Sequence, residues 1–223
     1  MSMLAPIFAA DPASPRLTVY DETQGSRMEF SGVTLDNWAN KIANMFTEEF
    51  DSPAPDSPTV LIDLPVTWQC AVIILGAYAA GIVPCFEPGA SDLESPGIVF
   101  TTEEHQNNWP EATDVVVVSA DPFGRGVVEV GGTLSPGAID FGPTVRFYGD
   151  QFFGDGFPAS HFAPTNPPTP SRTLITGWST LSEFDDNVMA PLMGGGSVVI
   201  VTGMASTDRL AHIADTEKVT ATP

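Results

Sequence analysis

At 223 residues, with 43% hydrophobic and 9% aromatic side chains, the chain has enough apolar surface for a real core, so disorder is excluded as its default state. Eight Lys and Arg stand against 28 Asp and Glu, a formal net charge of -20 that disfavours nucleic acid and anionic membranes as partners, because grip on phosphate backbones comes from cations. The same charge serves solubility or adaptation to salt, and a bound nucleotide would need Mg²⁺, backbone amides or one of the six arginines to offset the field.

The first fourteen residues, MSMLAPIFAADPAS, hold a short apolar patch without the basic start and sustained apolar run of a secretory signal, and predict a surface segment of a cytoplasmic protein. LTVYDE and RMEFSG follow as two extended runs joined by TQGS, a hairpin centred on Gly25. In TLDNWANKIANMFTEEF, Leu35, Trp38, Ala39, Ile42, Ala43 and Phe46 recur at three- and four-residue steps on one helix face, with Thr34 placed to cap it. DSPAPDSP breaks the chain, since neither a helix nor a central strand accepts that density of proline.

TVLIDL predicts a short buried strand, and PVTWQCAVIILGAYAAGIVPCFEPG predicts a helix from near Thr67 followed by a strand at IVPCF. The apolar run from Cys70 to Val83 is too short to span a hydrocarbon core, which needs about 20 residues; a helix apolar nearly all round must therefore be covered by protein. Cys70 and Cys85 have neither metal-ligand spacing nor a disulfide framework around them, and predict free thiols. GIVFTT, a polar EEHQNNWPEA segment and DVVVVS repeat the strand pattern, four consecutive valines suiting a strand covered on both faces. Residues 120–171 are rich in Gly, Pro and aromatics and show no clear period.

Regularity returns with RTLIT as a strand, LSEFDDNVMAPLM as a helix interrupted near Pro191, GGGSVVIVT as a turn and strand, and TDRLAHIADTE as a helix capped by Ser206 or Thr207. KVTATP begins a further strand. Strands alternating with helices predict an α/β fold whose mainly parallel sheet is flanked by helices. The alternation fits one unit over residues 1–223, or two lobes joined through the irregular segment 120–171.

The order of a TVYDE-like strand, RMEFSGVTLDNWANKIANMF, TVLIDLPVTWQCAVIILGAYAAGIVPCFEPG, APLMGGGSVVIV and EKVTATP resembles the N-terminal part of the AMP-binding, adenylate-forming enzymes that include the acyl-CoA synthetases. The similarity covers about residues 15–115 and 172–223, and includes the Ala80-Gly81 turn after the apolar helix and the Pro88 closing the next strand. It implies the fold of the synthetases' N-terminal lobe. Between the two regions, members of the family carry a Ser/Thr/Gly-rich phosphate loop ending in Pro-Lys, whereas this chain has DFGPTVRFYGDQFFGDGF and no lysine in that interval. The family's Tyr/Phe-Gly-x-Thr-Glu stretch, its ribose-holding Asp and its C-terminal Lys would fall beyond residue 223. Without a cradle of glycine amides and a cation, no independent acyl-adenylate formation is expected. The resemblance then implies a binding or interaction module, with ATP, AMP or CoA as ligand only if the chain is a ligand-binding member or is completed by another chain.

Each remaining motif has a structural reading beside a chemical one. Gly194 to Gly196 lie between a helix end and a strand, where glycine serves a tight reversal, and no phosphate-loop motif surrounds them. GWSTL suggests a hydrolase elbow with Ser179 as nucleophile, Asp208 as acid and His212 as base, but Leu181 replaces the second glycine, and the favoured reading is Ser179 or Ser182 as the cap of the following helix. His105, His161 and His212 are scattered without metal spacing, and Asp185-Asp186, Glu48-Glu49 and Glu103-Glu104 read as solvated helix faces. Phe147, Tyr148, Phe152, Phe153, Phe157 and Phe162 form either a loop tucked over the sheet or a filler of the missing nucleotide site or a partner contact. No catalytic or metal-ligating residue is assigned, cofactor-binding residues stay undefined, no cofactor is expected, and the partner is another protein or none.

Overall fold

The computed structural model describes residues 3–8, 11–50, 60–86, 96–162 and 170–222. The proline-rich 51–58 segment and Pro88 lie outside these residues. The elements run α1 (Ala5–Phe8), β1 (Pro15–Asp21), β2 (Ser26–Ser31), α2 (Gly32–Glu48), β3 (Val60–Asp63), α3 (Trp68–Ala79), β4 (Ile98–Thr102), β5 (Asp114–Val118), β6 (Ile139–Asp140) and α4 (Phe141–Arg146). After these come α5 (Ala159–Phe162), β7 (Arg172–Ile175), α6 (Leu181–Phe184), α7 (Ala190–Met193), β8 (Ser197–Thr202) and α8 (Thr207–Thr216).

The chain is α/β with mainly parallel pairing, as the alternation of elements predicts, but its strands divide between two four-stranded sheets. They fall in two compact units, residues 1–37, 66–68 and 157–223 in the first and 38–65 with 69–156 in the second.

The first unit holds the sheet β2-β1-β8-β7, antiparallel only at the β1–β2 hairpin that turns at Gly25. Residues 220–221 lie along β7 through bonds between Leu174, Arg172 and Ala221, which is the strand start expected in KVTATP. Tyr20, Leu174, Val199 and Val201 share one sheet face, and α8 covers it with Ile213, Leu210 and Ala214.

The second unit holds the all-parallel sheet β3-β4-β5-β6. The strand expected at IVPCF is reduced to Cys85, which bridges Leu61 on the side of β3 away from β4. Valines 116 to 118 are buried in β5, and Phe100 packs edge-on between Phe46 at 5.6 Å and Phe141 at 6.2 Å.

Helix α3 is buried from Trp68 to Tyr78, and a Cβ at Gly76 would overlap Ile42 of α2, so the two backbones meet where glycine permits it. No helix of the described residues is long and apolar enough to cross a membrane. Gly81, at φ 75°, ends α3 in a Schellman arrangement: Ile82 N–H reaches Ala77 O and Gly81 N–H reaches Tyr78 O.

Several local expectations are corrected. Helix α2 begins at Gly32, so Thr34 lies inside its first turn; its amide donates to Ser31 Oγ, which caps instead. The cap after GWSTL is Thr180, whose side chain accepts from Glu183 N–H while Glu183 accepts from Ser179 N–H. The interruption expected near Pro191 is present, as a π turn and not as a chain break. This turn, over Asp185–Met189, precedes the proline, with Ala190 N–H donating to Asp185 O, and the extra residue widens the helix where the proline ring would crowd the preceding turn. In 120–171, β6 and α4 were invisible to pattern because a two-residue strand and six-residue helix are shorter than the period that reveals them.

Candidate functional site

In the second unit, the path from β3 through α3 reaches Cys85 on one side of β3, then returns to β4 on the other. The carboxyl ends of β3 and β4 thus form a topological switch point, the place where open α/β sheets hold ligands. Asp63 ends β3 and is paired in register with Thr101 of β4. Its Oδ2 accepts from Thr101 Oγ1 at 2.8 Å and Trp109 Nε1 at 3.0 Å, and lies 3.2 Å from His105 Nδ1.

A carboxylate only accepts, so this geometry puts the proton of a neutral His105 on Nδ1 and leaves Nε2 with its lone pair. The ring is 46% exposed, and the arrangement can accept a proton or a hydrogen bond from a donor group. His105 is held from below by its own turn, its amide meeting Thr102 O at 3.2 Å.

The rest of this edge is acidic and internally bonded. Past β5, Asp121 is buried and takes the amides of Phe123 and Arg125 together with the Arg125 guanidinium, whose hydrogen bond holds the carboxyl below its ordinary range. Asp140, at the end of β6, accepts from the amides of Val127 at 2.9 Å and Val128 at 3.2 Å. Glu103 is not on a helix: it accepts from Thr133 N–H at 2.7 Å and ties the β4 turn to the 132–135 loop. Sequence reasoning singled out none of Asp63, Trp109, Asp121 and Asp140. Their signal is positional: VLID, SAD and AID each put an acid at or just beyond the carboxyl end of an apolar run.

The other sequence candidates are dispersed. Gly195, at φ 79°, and Gly196 close a second Schellman end with bonds to Leu192 O and Pro191 O, which is the turn expected of GGG. Among the described residues, no hydrogen bond or ion pair joins the side chains of Ser179, Asp208 and His212; Ser179 and His212 are exposed. His161 stacks on Phe157 at 4.8 Å, and no group of three His, Cys, Asp or Glu among the described residues is placed to hold a metal. Cys70 and Cys85 are free thiols.

The aromatic segment is stapled to α2. Lys41 Nζ donates to Tyr148 O at 2.5 Å, Asn44 donates to Gly149 O and Gln151 O, Asn40 donates to Asp150 O, and the Tyr148 hydroxyl donates to Glu49. Burial first, then the Glu49 carboxylate, push the Tyr148 hydroxyl above its ordinary range. Phe147 and Phe153 of this segment are 88% and 90% exposed.

Cations are scarce and engaged. Arg27 and Arg172 bind Glu217, Arg125 binds Asp121, Arg146 binds Glu129, Arg209 binds Glu22, and Arg16 donates to two carbonyls. Lys41 is bonded as above, leaving Lys218. A triphosphate needs cations and unengaged amides together.

No family model matches the chain. Its whole length has the fold of the N-terminal part of acyl-CoA synthetases. It superposes on an acyl-CoA synthetase from Brucella canis with a TM-score of 0.72 at 16% identity, and on acetoacetyl-CoA synthetase from Streptomyces lividans with 0.68 at 14%. It spans 47% and 42% of those chains, less than half of each. A TIGR03089 family protein of Mycobacterium tuberculosis is 31% identical over 238 residues, covering 98% of this chain and 95% of the relative. With the strand and helix order shared with synthetases and a relative matched end to end, the chain belongs to the TIGR03089 family.

Proposed function

We propose that this is an acyl-CoA synthetase-like protein that does not form acyl-adenylates by itself and acts as a binding or interaction module. One observation carries the reading: every guanidinium in the chain is engaged by an internal carboxylate or carbonyl, and the Lys41 ammonium by Tyr148 O. Adenylyl transfer depends on charge stabilisation of the phosphates, so recruiting any of these groups other than the buried Nε–Nη2 edge of Arg16 in the first unit would first break an internal bond. The acids at the carboxyl edge of the second sheet add repulsion where a ligand would otherwise sit.

The test is carboxylate-dependent ATP–pyrophosphate exchange by the pure protein, with acetate, acetoacetate and longer acyl acids. No exchange is expected; exchange above the no-carboxylate control overturns the reading. Mg-ATP, AMP, CoA and acyl-CoA are expected to raise the melting temperature no more than an equal concentration of inorganic phosphate does.

A second reading, a member that binds AMP, CoA or acyl-CoA alone or completed by another chain, is favoured by Asp63 and His105 at the switch point. It predicts a melting-temperature rise with one of those ligands that is lost in His105→Ala. Equal rises in both proteins would dismiss His105 as a contact.

A further inference from the structure

Among the described residues, Arg16 is the one guanidinium whose hydrogen-bond acceptors include no carboxylate. It is only 7% exposed, and its Nη1 donates to the carbonyls of Gly195 at 2.6 Å and Gly196 at 3.1 Å. Its Nε is buried and has no hydrogen-bond partner among the described residues. Asp11 acts on Arg16 only through space: the Asp11 carboxylate is exposed, accepts from Ala13 N–H and Ser14 Oγ, and makes no hydrogen bond to the guanidinium.

A buried charge that no carboxylate bonds directly is more costly than a buried neutral donor, and an exposed acid acting through space offsets it weakly. The two carbonyls follow the end of α7, where the helix dipole contributes about half a negative charge, so they offset the guanidinium only in part. A trapped water would satisfy Nε and leave the remaining charge untouched. An oxyanion does both. The edge that arginine offers to carboxylates and phosphates side on consists of Nε and Nη2, and neither contributes to the two bonds made here.

The backbone also aims the residue: the β1–β2 register slips between Pro15 and Leu17, so Arg16 sits in a bulge, a device that redirects a side chain out of strand alternation.

We propose that Arg16 forms an oxyanion site in the first unit, its Nε and Nη2 holding a carboxylate or phosphate-type group in two parallel hydrogen bonds. Nε is closed to solvent, so the anion is admitted by local opening of the bulge or of the Gly194–Gly196 turn. The site is separate from acyl-adenylate chemistry, because it needs no nucleoside and lies outside the second unit.

The experiment is a titration of ¹⁵N-labelled full chain followed through arginine Nε–H resonances, with inorganic phosphate in one arm and acetate in the other. Chloride at matched ionic strength is the control. The Arg16 resonance, assigned by through-bond correlation and by its absence from Arg16→Lys, is expected to shift saturably with one or both oxyanions and not with chloride. Phosphate alone identifies a phosphate site, and acetate alone a carboxylate site. A resonance unmoved by either oxyanion overturns the proposal, as does a shift that chloride reproduces. If Arg16→Lys does not fold, the wild-type titration still decides. Since neither probe carries adenosine, its outcome is independent of the exchange assay.

Discussion

Lys218 is the one described non-glycine residue with positive φ, at 54°, and the bonds around it explain why. Val219 N–H reaches Ala214 O and Lys218 N–H reaches Asp215 O, which is the Schellman ending of α8 with lysine at the position that Gly81 and Gly195 occupy after α3 and α7. A left-handed β-carbon costs about 1–2 kcal/mol, partly returned because lysine restricts the unfolded chain more than glycine does. Lys218→Gly is therefore expected to stabilise by about 0.5–1 kcal/mol, read as a higher urea midpoint at unchanged slope. Gly195→Ala puts the same strain where none exists and is expected to destabilise by about 1 kcal/mol or more. A lower midpoint for Lys218→Gly would show that the lysine side chain contributes more than its backbone costs.

At the scale of elements, the packing of β1, β7, β8 and α8 includes a polar network. The Glu217 carboxylate, 7% exposed, accepts from Tyr20 Oη at 2.6 Å, Arg27 Nε at 2.8 Å and Arg172 Nη2. Burial alone would raise its pKa, but the hydrogen bonds from Arg27, Tyr20 and Arg172 outweigh burial and hold it at about 2 against an ordinary 4.5. A depressed folded pKa gives stability that is fully present above 4.5 and lost as pH falls from there through 2. The difference corresponds to about 3 kcal/mol. Glu217→Gln is thus expected to lose on that order of stability at neutral pH and to converge on the wild type toward pH 2, measured by urea unfolding. A constant gap between the two proteins across that window would remove the linkage. The strands and α8 of this packing were legible in RTLIT, GGGSVVIVT and TDRLAHIADTE because buried faces impose a period. Glu217 was not, since nothing in a sequence marks which of 28 acids will meet two arginines from other elements. The same limit applied at the switch point: the strands ending in Asp63 and Thr101 were readable, while the meeting of Asp63 with His105 and Trp109 depends on how the return to β4 is folded.

For the whole molecule, the net charge of -20 is distributed over both units: eleven Asp and Glu against five Lys and Arg in the first, seventeen against three in the second. Neither unit is neutral, so each compact state is opposed by its own field. Salt acts on two opposing terms here. It weakens the attractive pairs, such as Arg209 with Glu22 at 2.8 Å and Arg27 with Glu29 at 2.5 Å, and it weakens the repulsion among the surplus acids. Distance decides between them. Raising ionic strength from about 0.01 M to about 0.1 M shortens the Debye length from about 30 Å to about 10 Å, still several times the contact distance of a pair but shorter than the spacing across a unit. Exposed pairs contribute only about 0–1 kcal/mol each in any case. Sodium chloride over that range is therefore expected to raise the melting temperature, and the rise should persist in Arg16→Lys, because chloride acts through the field and not through an arginine fork. A flat or falling melting temperature would mean that short-range pairs govern the electrostatics of this fold despite the surplus of acid.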